Sequence, residues 1–306
     1  MDIFYSLLFK LLPLYLIIFF GYLSGKYLRI NKDVVAIVVI YVISPIVFFN
    51  AAATTPISLG SLMLPVATLL ICCAICLLFS FIGGLFWKDA TRNILAFIAP
   101  EANTGYFGLP VALLVLPKPL VEVYIIAILG ILVYESTLGF FIAARGKHTH
   151  KESVTKLFKL PVIYAVMLGF FANIVGMQFG SAYVTMINYV KIVYVILGMM
   201  MIGLGLSGIK TFAFDGLFVG LSFLAKFVVW PVFVLLVIFL DNAFLHIFDA
   251  TMHRVLLLIS LMPVAANTVA YATMLKIHPE KVAVAVVLST VFALVYVPLM
   301  VSFFLR

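Results

Sequence analysis

The chain has 306 residues, 66% of them hydrophobic and 10% charged, with a mean hydropathy of +1.30. Water-soluble domains carry about 25% charged residues, so the composition excludes a soluble enzyme or binding module and identifies a polytopic helical membrane protein. The formal charge of +8 does not indicate a nucleic-acid binder, because the basic residues stand in short breaks between apolar runs, with anionic headgroups as their neighbours.

Ten apolar runs near the ~20 residues that a bilayer requires predict ten transmembrane helices. Span 1 (8–27) contains Leu12-Pro13 and Gly21, and Lys10 interrupts it, which argues against a cleaved signal peptide. Span 2 (34–53) carries Ser44-Pro45, a kink or partial break, with Asn50 just beyond it facing an interior cavity. Span 3 (63–86) holds all three cysteines, Cys72, Cys73 and Cys76; with no histidine beside them they read as small packing residues. Span 4 (93–115) contains Pro100, Glu101, Ala102-Asn103-Thr104, Gly105, Tyr106, Gly108 and Pro110. Span 5 (121–144) carries Glu135 near its middle, and the longest polar stretch, Arg145 to Lys159, follows it.

The second half opens with span 6 (160–178), where Leu160-Pro161 precedes Gly169. Span 7 (185–207) has Lys191 toward one end, expected to snorkel as Lys10 does, and Gly203-Leu204-Gly205-Leu206, expected at a close helix contact. Span 8 (216–240) has Lys226 near its middle and Pro231 beyond it. Span 9 (254–275) repeats Ala266-Asn267-Thr268 after Pro263, and span 10 (281–304) closes the chain. The histidines His148, His150, His246, His253 and His278 fall in loops or at span ends, where surface or headgroup contact is expected. No metal site is expected.

Loops after odd-numbered spans hold thirteen Lys and Arg, against Lys118, Arg254 and Arg306 on the other side. The positive-inside rule then makes the odd loops, including 145–159, cytoplasmic and puts both termini outside. Five spans per half start from opposite sides, so residues 1–146 and 160–306 are expected to be inverted repeats joined by a short basic loop, 147–159. Two echoes agree: Pro13 and Pro161 each precede a glycine eight positions on, and Ala-Asn-Thr recurs in spans 4 and 9.

Proline, glycine and asparagine free backbone groups that hydrocarbon cannot satisfy, so breaks inside spans are tolerated where they face protein or a wet cavity. One break per half is a pointer to a transporter's substrate site. Half-helix N-termini suit a carboxylate, and Asn103 and Asn267 both donate and accept. Thr104 and Thr268 add hydroxyls, Tyr106 and Tyr271 add aromatic walls, and Asn50 and Lys226 are further candidates for substrate contact. The bland alternatives are that the asparagines only cap broken helices and that Glu135 and Lys226 form a structural pair. Glu101 and Glu135 are candidates for coupling to H+ or Na+. No nucleophile–base or metal constellation is visible, so no enzyme and no cofactor are expected.

Asn103-Thr-Gly-Tyr-Phe-Gly-Leu-Pro110 resembles the Asn-x-Gly-(aromatic)-x-Gly-x-Pro signature of the auxin efflux carrier family, which contains plant PIN-type carriers and bacterial permeases of small organic acids. Pro263-Val-Ala-Ala-Asn267 is similar to its second crossover motif, and Ser44-Pro-Ile-Val-Phe48 to its span-2 motif. The resemblance implies that spans 4 and 9 cross at their broken centres, as in bile-acid/sodium symporters, with Pro100, Gly105, Gly108, Pro110 and Pro263 shaping the crossing. It also implies a scaffold of spans 1, 2, 6 and 7, a transport domain of spans 3–5 and 8–10, elevator-like movement and a homodimer. Asn103 and Asn267 would contact the substrate carboxylate. The short 145–159 loop departs from the long loops of plant carriers, so the expected activity is bacterial-type transport of a small mono- or dicarboxylate across the cell membrane. The alternatives are a sodium-coupled symporter of the bile-acid type and a ligand-sensing receptor.

Overall fold

Among the described residues, seven helices are long and apolar enough to cross a bilayer: α1 (Phe4–Tyr27), α2 (Asp33–Thr54), α3 (Leu59–Phe86), α6 (Lys118–Ala144), α8 (Ser181–Ser207), α9 (Gly216–Leu245) and α12 (Pro279–Phe304). Shorter apolar helices lie between them: α5 (Thr104–Val115), α7 (Pro161–Ile174) and α10 (Ala250–Ser260). Two pieces of eight residues, α4 (Thr91–Ile98) and α11 (Thr268–Leu275), complete the set. The computed structural model describes residues 2–144, 161–208 and 214–304. The predicted loop 147–159, Lys210 and Arg306 fall outside the described residues.

Hydrocarbon offers no partner to a backbone N–H or C=O, so apolar runs of this length form helices whose bonds close within the segment. Polar side chains cap several ends: Ser58 and Ser61 form a reciprocal capping box at α3, Asp215 accepts from the N–H of Phe218 at α9, and Asp249 accepts from those of Thr251 and Met252 at α10. Three widened π turns, Val39–Ile43, Thr104–Gly108 and Ala225–Val229, each end two residues before a proline: Pro45, Pro110 and Pro231. A helical proline crowds the carbonyl four residues back and donates no bond, and a widened turn absorbs both defects. The expected kink at Ser44-Pro45 therefore takes the form of a π turn in a helix that continues to Thr54.

Close packing is set by small residues. Added β-carbons at Gly21 and Gly203 would collide with the backbone of Met200 and Ile18, so α1 and α8 meet at backbone distance. A β-carbon at Gly169 would meet the Phe49 carbonyl, so α7 approaches α2 in the same way, and Asn173 Nδ2 adds bonds to the carbonyls of Ala52 (2.9 Å) and Thr55 (2.7 Å). Without a hydrophobic drive between helices in lipid, such approaches supply dispersion and hydrogen bonding instead. Gly203 thus sits at the predicted contact, whereas a β-carbon at Gly205 would meet nothing within 4 Å.

Several polar side chains depart from the sequence reading. Lys191 does not snorkel; it is buried and paired with Glu122 of α6. His253 is buried rather than at the surface: its Nε2 lies 2.9 Å from Oδ2 of Asp241, whose carboxylate also accepts from the N–H groups of Ile247 and Phe248. Both pairings offset the cost of burying a polar group in a low-dielectric region.

Candidate functional site

The two broken segments leave helical geometry and pair at Ala102 and Val264; Thr104 already opens the π turn Thr104–Gly108, and Ala266 and Asn267 lie in the turn that enters α11. Ala102 and Val264 form an antiparallel bridge, closed by Asn103 N–H to the Pro263 carbonyl (2.8 Å) and Ala265 N–H to the Glu101 carbonyl (3.0 Å). This pairing answers how the freed backbone groups are satisfied inside the protein. The N–H of Val264 donates to Ser289 Oγ of α12 (3.2 Å), and the Tyr124 hydroxyl of α6 donates to the Thr104 carbonyl (3.0 Å). The Pro100 carbonyl receives both Lys226 Nζ (2.8 Å) and Trp230 Nε1 (2.9 Å) from α9.

A cavity of about 590 Å³ opens beside the crossing. Its polar lining includes Glu101, Asn103, Thr104, Glu135 and Asn267; Tyr41, Tyr106, Tyr194 and Tyr271 supply aromatic faces. Asp33 at the start of α2, Gly205 near the end of α8 and Met274 near the end of α11 also line it. Those three helix ends lie on one side, so the cavity extends toward one face of the helix array. Toward the other face, Lys191 and Glu122 join α8 to α6, and Phe179 stacks on Tyr183 at 4.4 Å.

The asparagines do not cap the half-helices: neither makes a side-chain cap bond. Asn267 Nδ2 donates to Glu135 Oε2 at 2.7 Å, and the Tyr271 hydroxyl faces the same carboxylate. Asn103 Nδ2 and Glu101 Oε1 are buried against the cavity with no protein partner. An unpaired buried donor costs about 1–3 kcal/mol.

Of the residues singled out in the sequence, the structure brings Asn103, Asn267, Thr104, Gly105, Tyr106, Glu101 and Glu135 to this one cavity. Lys226 does not line it: the ammonium is fully buried, bonded to Pro100 and 5.2 Å from the Trp230 ring centroid. Among the described residues it forms no ion pair, so the Glu135–Lys226 pair is not made. Thr268 also lies outside the lining, its hydroxyl bonded to the Ala265 carbonyl at 2.6 Å, and so does the buried Asn50. Pro100, Gly108, Pro110 and Pro263 are likewise outside the lining, in or just beyond the crossing segments. Trp230 and Ser289, which hold the crossing, carry no sequence signal; an apolar helix does not reveal which of its faces meets a broken segment.

No protein-family profile matches the chain. It is similar to an uncharacterized transporter of Methanocaldococcus jannaschii, 27% identical over 309 residues, spanning 98% of this chain and 97% of that one. An all-helical membrane protein similar over its whole length to a chain named as a transporter is thus the coarse description on which a functional reading rests.

Proposed function

We propose that the chain is a secondary carrier of small organic acids, working by alternating access at the crossing of its two broken segments. The observation that carries this reading is the unpartnered Asn103 amide, held by the antiparallel pairing of two discontinuous helices at the wall of a one-sided cavity. Irregular backbone at membrane depth is tolerated where it lines a cavity, and in carriers such half-helix sites hold the substrate.

We count α4 with α5, and α10 with α11, as single broken spans. This gives ten spans in two inverted halves. Two matching helix pairs support the repeat: span 1 lies against span 7, and span 6 against span 2, each with its glycine (Gly21, Gly169) at the contact. In this reading α1, α2, α7 and α8 form the scaffold, the remaining helices move as a transport domain, and scaffolds pair in a homodimer in the cell membrane, as the resemblance to auxin efflux carriers implies. Both termini would lie outside, and the cavity would face the cytoplasm.

The test is flux in reconstituted vesicles, with acetate, malonate, malate and indole-3-acetate each loaded in turn and sodium exchanged for potassium. Accumulation or release of at least one acid beyond protein-free vesicles is expected. Dependence on sodium would favour the symporter of bile-acid type. Binding of an acid without flux would favour a receptor and sink the carrier.

A further inference from the structure

The wall of the cavity presents a charge problem for an organic anion. Three carboxyl groups line it (Asp33, Glu101 and Glu135), and no lysine, arginine or histidine does so among the described residues. The two acids beside the crossing are placed differently. Glu101 belongs to the crossing itself, with its backbone bonded to Ala265, and the buried Lys226 ammonium is its electrostatic neighbour. Glu135 lies in the π turn Glu135–Gly139 of α6 and has no cation beside it among the described residues. It holds Asn267, one of the two amides that would receive a substrate carboxylate.

Among the described residues, the groups facing Glu135 are Asn267 just before α11, Tyr271 from α11, Glu101 from the crossing and Tyr106 from α5. An ionised carboxylate is an acceptor only. In that state Glu135 occupies the Asn267 amide and adds a like charge in a poorly screened site. A proton on Glu135 removes the charge, weakens its hold on Asn267 and turns the acid into a further donor. One proton thus converts the Asn267 side of the cavity from repelling a carboxylate to receiving it.

Resting on the carrier reading above, we infer that Glu135 is the proton-carrying group of the site, taking one proton from the medium each time an organic acid anion binds at Asn103 and Asn267. Glu101, bonded through its backbone to Ala265, stays a fixed part of the crossing. The carrier then moves a carboxylate and a proton together, and the bare protein exposes an Asn267 amide already engaged by its own acid.

The experiment is thermal stabilisation and proton uptake of purified protein in weak buffer between about pH 6.5 and 8.5. The probes are acetate, malonate, malate and indole-3-acetate, with choline and putrescine as cationic controls. The expected result is about one proton taken up per bound acid, and an apparent affinity that falls about tenfold per pH unit where Glu135 is ionised in the free protein. Glu135→Gln should bind the same acid without proton uptake and without pH dependence. Proton uptake unchanged in E135Q overturns the inference and leaves the carrier standing. Stabilisation by the cations alone, or by none of the probes, overturns the organic-acid reading and the inference with it. If E135Q does not fold, infrared difference spectra of the wild type with and without the bound acid decide the point. A protonated carboxyl band that appears on binding supports the inference, and its absence overturns it.

Discussion

Asn103 donates its backbone N–H to the carbonyl of Pro263 at 2.8 Å, so two segments far apart in sequence satisfy each other's backbone at the crossing. The Nδ2 of the same residue is buried without a protein partner, at a position that lines the cavity. Each segment is extended only because the other is present, which ties the shape of the site to the packing of both halves.

The support beneath the crossing is testable at Ser289. Its hydroxyl accepts from the Val264 N–H and donates to the Val286 carbonyl at 3.0 Å. Ser289→Ala orphans a buried N–H, and thermal or denaturant unfolding should show a loss of about 1–2 kcal/mol.

Lys191 and Glu122 tie α8 to α6 on the face opposite the cavity mouth, both largely buried. Removing one partner strands a charge, so Lys191→Met or Glu122→Gln alone should cost up to about 3 kcal/mol. The double variant should cost less than the sum of the two, a coupling that a double-mutant cycle reads directly. Strict additivity would show that the pair carries no stability.

Helix contact at backbone distance makes a size prediction. Gly203→Ala drives a methyl into the Ile18 carbonyl and should destabilise by about 1–3 kcal/mol. Gly220→Ala, in the same kind of apolar helix but with nothing within 4 Å of the new carbon, should be neutral or slightly stabilising in the same melting assay.

Asp215 lies outside the spans, where it caps α9 and bonds Lys281 at 2.9 Å. Burial alone would raise its carboxyl, but the bonds from Lys281 and Phe218 outweigh that and hold it below its ordinary value of 3.8. A depressed folded value means that the stability is present above about pH 4 and is lost as pH falls through the folded value. Asp215→Asn should therefore be less stable than the wild type at neutral pH, with the gap closing under acid, as melting curves at several pH values would show.

Much of this was legible from hydropathy. Seven predicted spans became helices of bilayer length, and the two breaks fell at the prolines and asparagines that marked them. Rotation about each helix axis was not legible. Lys226 and Glu135 sit mid-span in the sequence, yet one turns to the Pro100 carbonyl and the other to Asn267. In spans that are apolar nearly all round, periodicity does not select a face. The pairings of Lys191 with Glu122 and His253 with Asp241 escaped for the same reason, since each partner alone looks like an end-of-span residue.

The most direct measurement is paired flux and melting of Asn103→Ala in reconstituted vesicles, using whichever organic acid the wild type moves. Because the Asn103 amide has no protein partner, the substitution removes no bond within the protein and relieves an unpaired buried donor, so the variant should be as stable as the wild type or slightly more so. Transport should fall at least about tenfold, the loss of one well-placed hydrogen bond to a charged group. Wild-type flux from a folded N103A protein would contradict the assignment of the crossing as the substrate site.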